Sequence, residues 1–226
     1  MNKFAALLAA GSLALSACAG PALAEEPKAA PAATRVAKET KGLKTAIFAG
    51  GCFWGVEGVF SHVKGVTGAV SGYHGGTKGS AAYDVVSSGA TDHAEAVKIT
   101  YDPAVVRYDQ LLRIFFSVIA DPTLKNRQGP DVGTQYRAAI VPMSAEQSAV
   151  AKAYLAQLGA SKLWSKPIAT KLETYKAFYA AEGYHQDFML KNPKHGYITR
   201  WDAPKVAALK RMYPSFYRAT FLKDAG

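Results

Sequence analysis

One thiol stands where it could do chemistry, in the run Gly50-Gly51-Cys52-Phe53-Trp54-Gly55-Val56-Glu57. The thiolate form of cysteine is a nucleophile. Residues 45–49, Thr-Ala-Ile-Phe-Ala, read as a buried strand. Trp54, Val59, Phe60 and Val63 recur at helical spacing. The glycine pair permits a tight turn between the two elements. Cys52 then falls at or just before a helix N-terminus, where unpaired N–H groups and the helix dipole favour an anion. The thiol is therefore expected to ionise more easily than a free one. The turn alone leaves a plainer alternative open. Free cysteine is among the most buried residue types and could simply fill the corner.

The elements that must hold this turn can be read in order. Residues 65–73 are a glycine-punctuated strand, 82–87 a short helical piece, and 93–101 a partly alternating strand ended by Asp102-Pro103. Residues 108–119 form a helix with Leu111, Leu112, Phe115, Phe116 and Ile119 on its inner face. A long polar loop spans 121–133, and 137–141 is a further strand. Ser144 opens a helix through about residue 158, with Gln147 at its capping-box position. Residues 171–175 read as a strand, and 182–190 and 203–212 as helices. The mixture predicts an α/β fold, a sandwich with a small mixed sheet flanked by helices in a single domain.

Composition narrows the function classes. Hydrophobic residues are 49% of the chain, enough for a sizeable core and too many for global disorder. The formal charge is +10, but the basic residues are scattered, which favours a solvated basic surface over a nucleic-acid site. His62, His74, His93, His185 and His195 lack metal-ligand spacing, so no metal is expected. No bound cofactor is expected either.

Residues 1–24 read as a secretory signal, with Lys3 followed by an apolar run. Two exits are open. Leu15-Ser16-Ala17-Cys18 resembles a lipobox, with Cys18 as the lipidation candidate and membrane anchor, and Ala22-Leu23-Ala24 is an ordinary cleavage site. The lipobox is the preferred reading. Both deliver the protein to the bacterial envelope, soluble or lipid-anchored in the periplasm. Either exit leaves Cys52 as the one free thiol of the mature chain, with no disulfide framework. Residues 25–42, rich in Ala, Pro, Lys and Glu, read as a disordered or extended linker, 43–217 as the folded domain, and 218–226 as a tail.

Gly51-Cys52-Phe53-Trp54-Gly55-Val56-Glu57 resembles the signature of the peptide methionine sulfoxide reductase A family. Further matches follow in that family's order. They are Ser71-Gly72-Tyr73 with Gly75-Gly76, Tyr83-Asp84-Val85-Val86, His93-Ala94-Glu95-Ala96-Val97, Tyr101-Asp102-Pro103, Arg127-Gln128-Gly129-Pro130-Asp131, Gly133-Thr134-Gln135-Tyr136-Arg137 and Glu182-Gly183-Tyr184-His185-Gln186. The resemblance implies the two-layer sandwich and reduction of the S epimer of methionine sulfoxide. It implies Cys52 as nucleophile, Glu95 as general acid, Tyr83 and Tyr136 as donors to the sulfoxide oxygen, and Asp131 as the residue that positions water and substrate. Phe53 and Trp54 would wall the methyl pocket. Glu95 must keep its proton near neutral pH, so burial should raise its pKa.

Each residue also has a structural reading. Glu95 between two alanines could face solvent, Tyr83 and Tyr136 could be core aromatics, and Asp131 could be a turn former. Tyr184 and His185 could be a structural hydrogen-bond pair, and are given no chemistry. Val132 stands where many members carry His. Residues 192–205 lack the resolving cysteine that many members carry near the C-terminus. A Cys52 sulfenic acid would then be recycled by an external thiol reductant, whether thioredoxin-like, glutaredoxin-like or a small thiol. The competing functions are a thiol peroxidase and a basic envelope lipoprotein that binds acidic polymers.

Overall fold

The computed structural model describes residues 27–223; the signal segment with Cys18 lies outside the described residues. Lys44–Gly50 form strand β1, Phe53–Ser61 helix α1, Val66–His74 strand β2, Tyr83–Val86 helix α2 and Ala94–Tyr101 strand β3. Tyr108–Ile114 form α3, which runs into a π turn, Phe115–Ile119. Arg127–Gln128 (β4) and Asp131–Val132 (β5) pair as a minimal hairpin inside the expected polar loop. Ala138–Val141 (β6), Ala145–Ser161 (α4), Lys171–Leu172 (β7), Phe178–Ala180 (β8), Phe188–Lys191 (α5) and Ala203–Met212 (α6) follow.

Six strands make one mixed sheet in the order β7-β6-β1-β3-β2-β8. β6 and β7 are parallel, and the other neighbours are antiparallel. Strand alternation sorts the side chains. Ala46 and Phe48 of β1, and Val97, Ile99 and Tyr101 of β3, enter the large core beneath the helices. Ile47, Ala49, Ala94 and Ala96 form a thinner cluster with Ala139 and Val141 on the other face. Phe48 is fully buried against Phe60, Tyr108 and Phe115, with ring centroids 4.9, 6.1 and 5.3 Å away. Burying such a side chain is worth about 1.5–3 kcal/mol.

Several elements differ from the sequence expectation. Residues 183–187 make turns, and helix begins only at Phe188. Gln186 spends its amide on neighbouring backbone, accepting from Ser71 N–H and donating to Ser71 and Ala181 carbonyls. That docks the segment on β2 in place of a local helix. The β8 strand, absent from the sequence reading, pairs with β2 at Gly72, Tyr73 and His74. The Ser144 hydroxyl does accept from Gln147 N–H, but Gln147 reaches back to Met143 N–H instead of Ser144 N–H. The stretch after 217 also packs: Arg218 N–H donates to His62 O and Leu222 N–H to Ser61 O.

The expected linker is extended but docked, forming a strap from Pro27 to Gly42. Ala30 and Ala37 are buried. Ala30 N–H donates to Ser117 Oγ and Ala37 N–H to Asp109 Oδ1, while Tyr154 donates to Pro31 O. Small side chains let this backbone lie flat on α3 and α4, so hydrogen bonds fasten it while its alanines join the edge of the core. Glu39 fastens its end, accepting from the Tyr101 hydroxyl, from Tyr108 N–H at 3.2 Å and from Gln147 Nε2 at 3.5 Å. Glu39→Ala strands the Tyr101 hydroxyl and Tyr108 N–H, while Gln147 keeps Thr45 O and the Tyr101 oxygen, and is expected to destabilise the fold by about 1–3 kcal/mol. Urea unfolding measures this, and an unchanged midpoint would return the segment to a spacer.

Candidate active site

The two glycines before Cys52 do different work. Gly50 lies so close to the Phe115 ring that a Cβ would stand 2.8 Å from it. Gly51 has φ +87°, and a Cβ there would also meet Gln128 Cβ at 2.6 Å. The chain thus turns out of β1 under the π turn and against β4. Cys52 is the N-cap residue of α1 and is 7% exposed.

The thiol does not ionise easily, contrary to the helix-dipole expectation. Burial pushes Cys52 well above the usual thiol range, and the acidic groups Glu95, Asp202 and Asp131 push it further at the high pH where the thiol titrates. The Trp54 N–H pulls the other way and is outweighed. One helix terminus cannot offset lost hydration plus nearby anions.

Glu95 faces the same site. Its neighbours Ala94 and Ala96 point to the opposite face of the sheet, so alternation turns Glu95 toward α1. It is 2% exposed, and Phe53 N–H donates to its Oε2 at 2.9 Å. Burial raises its pKa to about 8, the Phe53 bond lowers it in part, and Asp131 and Asp202 raise it again. The carboxyl therefore holds its proton at neutral pH.

Tyr83 at the start of α2 and Tyr136 at the end of the Thr134–Tyr136 turn are half-buried. Burial, followed by Glu95, raises the pKa of both, Tyr83 to about 12. Cys52 also raises both, so the two phenols lie within electrostatic reach of the sulfur. Among the described residues neither hydroxyl has a hydrogen-bonding partner. Tyr83 is positioned through its backbone: its N–H donates to Glu182 Oε1 at 2.9 Å, and Glu182 Oε2 accepts from Tyr73. Arg137 fixes the Tyr136 turn, donating to Thr134 O, to Asp92 O and to both Glu173 oxygens. Asp131, on β5, accepts from the Tyr197 hydroxyl, and burial raises its pKa.

Phe53 and Trp54 form part of an aromatic wall. Trp54 stacks on Phe188 with centroids 3.7 Å apart and meets Tyr197 edge-on at 6.0 Å. Its indole N–H donates to His185 Nδ1 at 3.1 Å. Indole nitrogen can only donate, so Nδ1 accepts and the His185 proton sits on Nε2. His185 is buried between the rings of Phe53 and Tyr83, at 5.0 and 4.4 Å. Burial lowers its pKa and keeps the ring neutral, although Glu182 opposes this. His185 thus orients the pocket wall, a role beyond the pairing with Tyr184 considered from sequence; Tyr184 itself is 60% exposed.

The C-terminal segment supplies residues that the sequence reading did not find. Asp202 is fully buried, and Lys205 Nζ lies 3.1 Å from its Oδ1. A Cβ on Gly55 would fall 2.1 Å from that oxygen, so only glycine admits Asp202 to the first turn of α1. Tyr197 comes from the same stretch. Nothing in their local pattern signals a site; a π turn, Ile198–Asp202, that leads straight into α6 brings them in. Among the described residues no group of three or more His, Cys, Asp or Glu could hold a metal ion.

A family model described as peptide methionine sulfoxide reductase matches residues 44–215. The peptide methionine sulfoxide reductase MsrA 2 of Mesorhizobium japonicum is 56% identical over 180 residues, covering 80% of this chain and 92% of that protein. The MsrA of Deinococcus radiodurans is 47% identical over 168 residues, covering 74% and 81%. Among solved structures, methionine sulfoxide reductase A of Corynebacterium diphtheriae aligns with TM-score 0.57 and 31% identity, covering 77% of this chain and 86% of that one. Reduced Mxr1 from Saccharomyces cerevisiae aligns with TM-score 0.60 and 34% identity, covering 71% and 92%. The family match begins with β1 and ends just past α6, taking in every element that surrounds Cys52, and the chain belongs to the peptide methionine sulfoxide reductases, oxidoreductases that return methionine sulfoxide to methionine.

Proposed function

We propose that this reductase acts on the S epimer of methionine sulfoxide, through a Cys52 sulfenic acid that an external thiol removes. The observation that carries the reading is a neutral buried carboxyl, Glu95, bonded to the N–H of the residue after the thiol. Cys52 sulfur attacks the substrate sulfur. Glu95 protonates the sulfoxide oxygen, Tyr83 and Tyr136 donate to it, and a second proton lets it leave as water. Water, positioned by Asp131, then attacks Cys52 sulfur and releases methionine. The balance is one thiol plus one sulfoxide giving one sulfenic acid plus one thioether. Cys52 sulfur loses two electrons and the substrate sulfur gains them. Phe53 and Trp54 receive the methyl group, and Trp54 is held by His185 and Phe188.

Recycling follows from the cysteine count. Cys18 and Cys52 are the two cysteines of the chain, and Cys52 is free. A thiol from a reductant attacks the sulfenic acid, expels water and leaves a mixed disulfide that a second thiol resolves. A thioredoxin-like dithiol protein suits this sequence of steps. The apolar N-terminal run with its two exit sites supports export and repair of oxidised envelope proteins, with Cys18 as lipid anchor if the lipobox is used.

Three outcomes test the reading. With both epimers supplied, the S form is consumed and the R form persists, since one enzyme serves each epimer; chiral chromatography decides, and equal loss of both refutes it. Glu95→Gln keeps the shape but has no proton to give, so single-turnover reduction slows about a hundredfold to ten-thousandfold. The wild-type rate should also fall as pH rises through about 8, where Glu95 loses its proton, and the Gln variant should lack that step. A rate that is flat across this range would remove Glu95 as the acid. Finally, protein incubated with substrate and no reductant should release one methionine per chain and stop. Mass spectrometry should find Cys52 tagged by a sulfenic-acid probe. Release of several equivalents would refute the need for an external thiol.

A further inference from the structure

A groove of about 640 Å³ opens beside the site, and the chemistry described above does not use it. Its volume falls in the range of sites that bind extended or drug-sized ligands. Phe116 and Ile119 of the π turn, with Trp164 and Trp201, give it an apolar lining. Pro27 and Lys28 at the start of the strap close one wall. The groove also runs into the active site. Gln128 lines it and packs against Gly51, the residue before Cys52. Tyr197 and Lys205 line it as well, and they contact Asp131 and Asp202.

Charge is unevenly distributed along the groove. Arg127, Arg200 and Arg211 line it together with Lys28 and Lys205, and Asp121 is the acidic residue among the lining groups. Arg127, Arg200 and Arg211 are exposed, so their charges stand at the solvent edge of an apolar trough. An apolar channel with a cationic rim suits an extended polypeptide that carries acidic side chains, whereas a free amino acid would leave most of it empty.

We propose that this groove binds the chain flanking a methionine sulfoxide in a protein substrate and selects for acidic residues there. The inference rests on the reading of the chain as a methionine sulfoxide reductase and adds the class of polypeptide it prefers. The test uses three peptides, each with one methionine sulfoxide, that differ only in Glu, Gln or Lys flanks. Free methionine sulfoxide is the control. At low salt, about 20 mM, kcat/KM for the Glu peptide should exceed that for the Lys peptide about tenfold, mostly in KM, and the gap should close near about 0.5 M salt. Arg200→Glu with Arg211→Glu should abolish or invert the preference and leave free methionine sulfoxide and the thermal midpoint unchanged.

Fluorescence anisotropy of the same peptides on Cys52→Ser protein should give the same order in Kd, independent of any turnover. Loss of activity on free methionine sulfoxide in the wild type would count against the reductase reading, while anisotropy would still report on the groove. Equal affinity for all three peptides would overturn the proposal. So would a double variant that raises KM for a dithiol reductant protein while leaving the peptide series intact, since the groove would then belong to the reductant.

Discussion

The hydrogen bond from Phe53 N–H to Glu95 Oε2 is the contact on which the rest of the site depends. The donor is one of the N–H groups that the first turn of a helix leaves without an internal partner. The acceptor is a carboxyl with almost no access to water. Without that donor Glu95 would be an unsatisfied buried group, and a costly one. With it, the side chain has a fixed place one residue from the sulfur. Burial still wins over the hydrogen bond, so the carboxyl stays protonated to about pH 8. Position and protonation thus come from the same pair of facts, a strand that points inward and a helix that begins opposite it.

Close approach is the second constraint. Gly51 lets Gln128 and the β4–β5 hairpin come against the turn, and that hairpin carries Asp131. Gly55 lets the C-terminal stretch bring Asp202 onto α1. A side chain at either glycine would push away a segment that completes the site. The clamps at Glu182 and Arg137 act at a further remove. Each holds backbone next to a phenol and leaves the phenol hydroxyl free of protein partners among the described residues.

Much of this was legible in the sequence, for local reasons. A glycine pair between an apolar strand and an apolar helix places Cys52, whereas Glu95 came only with the family resemblance, since its two alanine neighbours by themselves suited a solvent-facing strand position. The strap was not legible. Alanine and proline offer little apolar area, so composition reads as a disordered or extended linker, while much of what fastens the strap is hydrogen bonding to residues more than 60 positions away. Asp202, Tyr197 and His185 were hidden for a similar reason. Their roles arise from which groups meet across the fold, and neither spacing nor periodicity records that.

The failed expectation about thiol acidity says most about how the site works. A helix N-terminus favours an anion, but that gain is small when the sulfur is 7% exposed and acidic groups lie within electrostatic reach. A thiol held in its neutral form reacts slowly with oxidants that meet it at random, because the thiolate is the reactive species. A sulfoxide changes the balance when it enters. Its sulfur bears the positive end of the S–O dipole and would sit against Cys52, while its oxygen would face the proton of Glu95 and the two phenols. Under the proposed chemistry the group that favours an ionised Cys52 would then be the substrate, so that burial would restrain the nucleophile until a sulfoxide arrives.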